Sequence, residues 1–173
     1  MTATHTPIHI LGIGSPFGDD QLGWRVVEAL QDPPLRDRLP PAIVSITACD
    51  RPGSRLIDLI HGAEMVVLID GIQSGHSAGT LVRIEGEQIS PEAGIISTHG
   101  FGVASALGLA RALGCRTQRM VFWGIEVGAE PALGMGSTLR HEIQGAVRPL
   151  AERVTAEVEG FLLERGYTRA FRG

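Results

Sequence analysis

The stretch Ile8-His9-Ile10-Leu11-Gly12-Ile13-Gly14-Ser15-Pro16-Phe17-Gly18-Asp19-Asp20-Gln21-Leu22-Gly23 decides the fold. Residues 8–11 form an unbroken apolar run, which predicts a buried parallel strand. The glycines predict a tight turn. Residues 22–30 place Leu22, Val26, Ala29 and Leu30 on one face at helical spacing. Strand, glycine turn and helix in immediate succession are the opening unit of an α/β domain. Two adjacent carboxylates, Asp19 and Asp20, occupy the strand-to-helix junction, where a phosphate cradle would carry no negative charge. They compete with any phosphate for the free N–H groups of the helix start, so the turn reads as a cation site.

The same pattern repeats outward. Residues 42–47 predict a second strand that ends at Cys49 and Asp50, and residues 55–60 a short helix opened by Pro52-Gly53-Ser54 and stopped by His61-Gly62. Met65-Val66-Val67-Leu68-Ile69 predicts a third strand terminating at Asp70-Gly71. Residues 80–84 alternate as a half-exposed strand does at an antiparallel edge. A helix is expected over 101–113 with Gly114 as its cap, and a strand over 120–125 ending at Glu126. A long closing helix over 138–165 is expected to kink or break at Pro149. The expectation is one domain, residues 1–173, with a mostly parallel twisted sheet of about five strands and helices on both faces. Ligands of such sheets collect beyond the carboxyl ends of the strands. That rule gathers Asp19, Asp20, Asp70, Glu126 and, in the loop before the 101–113 helix, His99.

Composition narrows the function. The chain has 173 residues, 43% of them hydrophobic, with a formal net charge of −4. Without a basic cluster it offers no nucleic-acid surface. No apolar stretch reaches the roughly 18 residues that cross a bilayer, and residues 1–6 lack a secretion signal, so a cytoplasmic protein without a membrane partner is expected, with a monomer as the default. Cys49 and Cys115 lack metal-type spacing and read as reduced thiols.

Three chemistries compete for the candidate residues. Asp20, Asp70 and His99 supply two carboxylates and one imidazole from three segments, a donor set suited to a borderline divalent ion such as nickel or zinc. Taken singly, each reads equally well as a cap: Asp20 of a helix N-terminus, Asp70 of a turn, His99 of its helix. Asp19 is assigned to capping, because two successive carboxylates pointing into one site repel. The dinucleotide reading rests on Gly12, Gly14 and Gly18, with the third glycine one position late, and Asp50 lies well past the roughly 20 residues at which a ribose contact is expected. A formal G-x-S-x-G at Gly75-His76-Ser77-Ala78-Gly79 lacks the strand before and helix after that a nucleophile elbow requires. Trp24 and Trp123 read as packing anchors.

With these residues in place, the chain resembles the hydrogenase maturation proteases. Residues 12–23 resemble the family's opening signature, and Leu68-Ile69-Asp70-Gly71 its second acidic motif. Ser97-Thr98-His99-Gly100 resembles its histidine motif, and Gly124-Ile125-Glu126 its late element. The resemblance implies an endopeptidase that trims the C-terminal extension of a nickel-iron hydrogenase large-subunit precursor after nickel insertion. It implies that Asp20, Asp70 and His99 act on the nickel carried by that substrate, with Asp19 and Glu126 in support. Ser15 stands where many relatives have asparagine, Gln21 where glycine or alanine is frequent, and Asp20 is one methylene shorter than the glutamate of some members. The alternative from another class is a non-catalytic metal- or nucleotide-binding domain.

Overall fold

The computed structural model describes residues 7–89, 96–97, 103–115, 117–129 and 138–167. Among them run β1 (Ile8–Gly14), α1 (Leu22–Gln31), β2 (Val44–Asp50), α2 (Arg55–Ile60), β3 (Met65–Gln73), β4 (Leu81–Glu85), β5 (Ile96–Ser97), α3 (Val103–Ala112), β6 (Arg119–Glu126) and α4 (His141–Glu164). The strands form one sheet in the order β2-β1-β3-β6-β4, with β5 paired to β3. β1, β2, β3 and β6 are mutually parallel, whereas β4 runs antiparallel to β6 at the edge, as its alternating pattern predicts.

Each central strand sends alternate side chains to opposite faces. Ile8 and Ile10 of β1 and Met65, Val67 and Ile69 of β3 join α1 and α4 in one core, which includes Leu22, Val26, Leu30, Leu150 and Val154. Leu11 and Ile13, with Val66, Leu68 and Ile72, join α2 and α3 in the other, with Leu56, Ile60, Ala106 and Leu107. The mostly parallel α/β sheet with helices on both faces is therefore as the sequence predicts.

Several boundaries differ from those expected. β1 runs on through Gly12 and Gly14, so these glycines are strand residues rather than turn formers. Their role is close approach: a Cβ at Gly12 would lie 2.2 Å from the Gly23 carbonyl oxygen, and one at Gly23 would lie 2.1 Å from that of Ile13. α1 thus lies directly on β1, in the space a phosphate would need. β3 continues beyond Asp70 to Gln73, because β6 pairs with it as far as Ile72 opposite Glu126. The helix α4 runs unbroken through Pro149, which sits on its exposed side, where water can satisfy the carbonyl that proline leaves without a donor. Among the described residues no helix is long and apolar enough to cross a membrane.

Candidate functional site

The connections assign α1 to one face of the sheet and α2 to the other, so the chain reverses its winding between β1 and β3. Such a switch point opens a crevice at the carboxyl edge. Register shows where it opens. β1 pairs with β3 only as far as Gly12 opposite Ile69, and β5 takes up the same side of β3 at Ile72 and Gln73. Asp70 falls in the interval between, held on its other side by pairing with Gly124 of β6.

Asp70 is fully buried, on the face that Val66, Leu68 and Ile72 share, and its Oδ1 accepts the Gly71 N–H at 2.7 Å. Across the crevice a 3-10 turn, Gly18–Gln21, follows β1 and packs against both β1 and β3. It carries the acidic pair. Asp20 is half-buried; its Oδ2 accepts from the Ser15 hydroxyl at 3.2 Å, and its carbonyl accepts the Ser15 N–H at 3.0 Å. Ser15, itself buried, therefore supplies a donor to the Asp20 carboxylate.

The two aspartates divide their work. Asp19 is 4% exposed and does cap a helix, but α4 rather than α1. Its Oδ1 accepts the N–H of Arg140, the residue just before α4, at 2.9 Å, and its Oδ2 accepts from the Arg140 guanidinium, which also donates to the Val127 carbonyl. One arginine thus ties the acidic turn to the end of β6 and the start of α4. Separated from Asp19 by 121 positions, it left no signal in the sequence.

Glu126 plays a comparable part on the other side. It is completely buried, and its carboxylate accepts from Ser74 N–H at 2.7 Å, Ser74 Oγ at 2.6 Å and Gly128 N–H at 2.9 Å. Burial alone would push its pKa up, but these donors, with the His76 backbone, outweigh it and hold the carboxyl below its ordinary range. The main chain of Glu126 also bonds to Gly79 and Thr80, so this residue organises the loop between β3 and β4. That loop contains Gly75-His76-Ser77-Ala78-Gly79, with both glycines at φ 86°, and leads into β4. The nucleophile-elbow reading is excluded by that geometry.

The remaining expectations resolve similarly. Trp24 packs at the turn with its Nε1–H on the Cys49 carbonyl at 3.1 Å, and Trp123 is buried with its Nε1–H on Glu157 at 2.7 Å. Cys49 and Cys115 are both free thiols, and burial pushes the Cys49 thiol up, away from a reactive thiolate. His99 lies outside the described residues, as do residues 130–137 of the glycine- and proline-containing stretch after Glu126. Among the described residues no trio of His, Cys, Asp and Glu is arranged to hold a metal. The structure thus brings the turn of Asp20 and the strand of Asp70 to one crevice, and assigns Asp19 and Glu126 to its scaffold.

The family model described as hydrogenase maturation protease (HycI) matches residues 38–157, a span that includes Asp70, His99 and Glu126. The hydrogenase expression/formation protein HupD of Thiocapsa roseopersicina is 29% identical over 150 residues, covering 84% of this chain but only 64% of that protein. The fold is similar to that of the hydrogenase maturating endopeptidase HybD from E. coli, with a TM-score of 0.71 at 23% identity over 92% of this chain and 93% of the other. It is also similar to the NiFe hydrogenase maturation protease HybD from Thermococcus kodakarensis, with a TM-score of 0.63 at 23% identity over 88% and 98%. On the strength of the family match over most of its length, this chain belongs to the hydrogenase maturation protease family.

Proposed function

We propose that the chain is an endopeptidase that removes the C-terminal extension of a nickel-iron hydrogenase large-subunit precursor, gripping the precursor through the nickel it already carries. The observation that supports this most is the crevice at the β1/β3 switch point, with the Asp20 turn on one wall and Asp70 on the other. The donor chemistry fits a borderline divalent ion: two carboxylates from separate elements, with His99 as the nitrogen donor. His99 follows Ser97 by two residues, and Ser97 pairs with Ile72, two positions beyond Asp70.

Three protein ligands leave coordination positions for a metal that the substrate still holds. Precursor without metal lacks the shared contact and binds poorly, so cleavage is confined to loaded substrate. Two free thiols are compatible with a reaction in the cytoplasm. The competing dinucleotide reading loses its ground where α1 fills the space above Gly12 and Gly14.

The test incubates the purified protein with nickel-loaded and nickel-free precursor from the same cell and follows release of the C-terminal peptide by mass spectrometry. Cleavage of the loaded form alone, lost in Asp20→Ala, Asp70→Ala and His99→Ala variants that remain folded, is the expected result. Equal cleavage of both forms removes the nickel checkpoint; cleavage of neither removes the protease reading.

A further inference from the structure

Beside the crevice, on the sheet face that Asp70 shares with Leu68 and Ile72, lies a cavity of about 160 Å³. Its walls are Ile13, Leu56, Val103 and Ala106, with Pro52 and Gly53 at the side and Arg51 at the rim. The four wall residues are buried members of the α2/α3 core, and among the described residues Arg51 supplies the only charged side chain of the lining. Resting on the endopeptidase reading above, we propose that this cavity receives an aliphatic side chain of the substrate peptide next to the scissile bond, which makes Ile13, Leu56, Val103 and Ala106 specificity-determining residues.

Size, chemistry and position support that occupant. A cavity of roughly 150 Å³ walled by aliphatic groups stays dry and takes up a six-carbon guest such as benzene. A leucine, isoleucine or valine side chain is of that class, whereas a carboxylate or amide would enter without a hydrogen-bond partner on the floor. The cavity is also physically joined to the acidic turn. Ile13 stands between Gly12 and Gly14, and the Arg51 N–H donates to the Gly14 carbonyl at 3.0 Å. The Arg51 guanidinium is held protonated by its hydrogen bond to Asp50, at 2.7 Å, and by the charges of Asp50 and Asp20. The opening therefore adjoins the end of β1 from which the Asp20 turn departs, and the proposed peptide would cross it there.

The backbone at the rim is strained in keeping with such a role. Arg51 adopts φ 39°, a left-handed conformation uncommon outside glycine, and both its N–H and its guanidinium are tied down. Strain of this kind persists where the surroundings over-determine it and collects at ligand clamps. The next position but one, Gly53, is also left-handed at φ 52°, and a Cβ there would meet nothing within 4 Å, so the entrance is open.

The experiment uses the full-length protein and nickel-loaded precursor in which each residue flanking the cut is changed in turn to Gly, Leu, Phe or Asp, with kcat/KM read by mass spectrometry. At one position Leu→Gly is expected to lower kcat/KM about 10–200-fold, the span that small changes in a hydrophobic pocket command, and Asp to lower it further. Val103→Ala, which widens the cavity, is expected to move the preference toward Phe at that position. Ala106→Leu, which fills it, is expected to erase the preference for Leu over Gly. The Val103→Ala result stands even where Ala106→Leu fails to fold, because it is a reordering of substrates rather than a loss. Efficient cleavage with no side-chain preference at any flanking position, or a preference that neither variant alters, overturns the pocket while leaving the endopeptidase intact. Failure of the unaltered protein to cut any loaded precursor overturns both.

Discussion

Replacing Arg140 by alanine removes the counter-charge of a carboxylate that is almost wholly buried. Asp19 is 4% exposed, and once the guanidinium is gone it retains the main-chain N–H of residue 140 as a donor but no cation. Breaking a fully buried ion pair from one side costs about 3–5 kcal/mol, because the remaining charge stays desolvated. Here the arginine side chain is 35% exposed and water enters where it was, so the cost is placed at about 2–3 kcal/mol. For a chain of this length each kcal/mol moves Tm by about 2–4 °C, which puts the loss at about 4–12 °C. Urea unfolding of the wild type, Arg140→Ala, Asp19→Asn and the double variant completes a thermodynamic cycle. The double variant is expected to lose about 1–2 kcal/mol less than the two single losses combined, since the neutral amide that replaces Asp19 leaves no charge to strand. Arg140→Lys is expected to fall between, keeping the charge but not the fork that spans Asp19 and Val127. An Arg140→Ala loss below about 0.5 kcal/mol, the range of ordinary surface changes, or strict additivity in the cycle, refutes the claim that this pair pins the turn.

Three further outcomes are expected. Glu126→Gln places an amide where four donors converge and costs about 1–3 kcal/mol at pH 7 by urea unfolding. Because the folded pKa of Glu126 lies below its unfolded value, its contribution is complete above the unfolded value of about 4.3 and fades as pH falls through the folded one; the gap between wild type and Glu126→Gln should therefore narrow below about pH 4, and a gap constant to pH 3 contradicts the assignment. Gly23→Ala drives a methyl to 2.1 Å from the Ile13 carbonyl oxygen and forces α1 away from β1, at about 1–3 kcal/mol by the same assay, whereas Gly108→Ala, where a Cβ meets nothing within 4 Å, is expected to be neutral or stabilising. Ser15→Ala removes the hydroxyl that donates to Asp20, and is expected to lower kcat/KM for loaded precursor several-fold while Tm changes by only a few degrees.

The alternation of apolar and helical segments was enough to assign both faces of the sheet, because Met65 to Ile69 and Leu22 to Leu30 obey their periods without conflict. What sequence periodicity could not fix was where strands end. Gly12 and Gly14 carry the local preference for a turn, yet they sit in β1 because only a residue without Cβ lets α1 approach, and that demand comes from Gly23 on another element. Asp70-Gly71 likewise has turn character but is drawn into β3 by pairing with Gly124 and Ile125. Placing Asp20 and Asp70 together required only the rule for carboxyl edges of parallel sheets. The partners that give the other acidic residues their roles, Arg140 for Asp19 and Ser74 for Glu126, are distant in sequence and of types that mark nothing on their own. His99 could be proposed from its motif but lies outside the described residues.

The adjacency of Asp19 and Asp20 gains a physical reason from this arrangement. A lone carboxylate in a short 3-10 turn has little to fix its direction, and the turn shows no side-chain cap of its own. Anchoring Asp19 to the start of α4 sets the orientation of the peptide that follows it, and Ser15 then engages the Asp20 carboxylate from the end of β1. The Arg140 guanidinium also supplies the counter-charge of Asp19 beside the second carboxylate one residue on. The first aspartate thereby holds the turn that presents the second at the crevice. Asp19→Ala should therefore cost stability first and activity through it, whereas Asp20→Ala, at the residue proposed above as a nickel ligand, should cost activity with the fold intact.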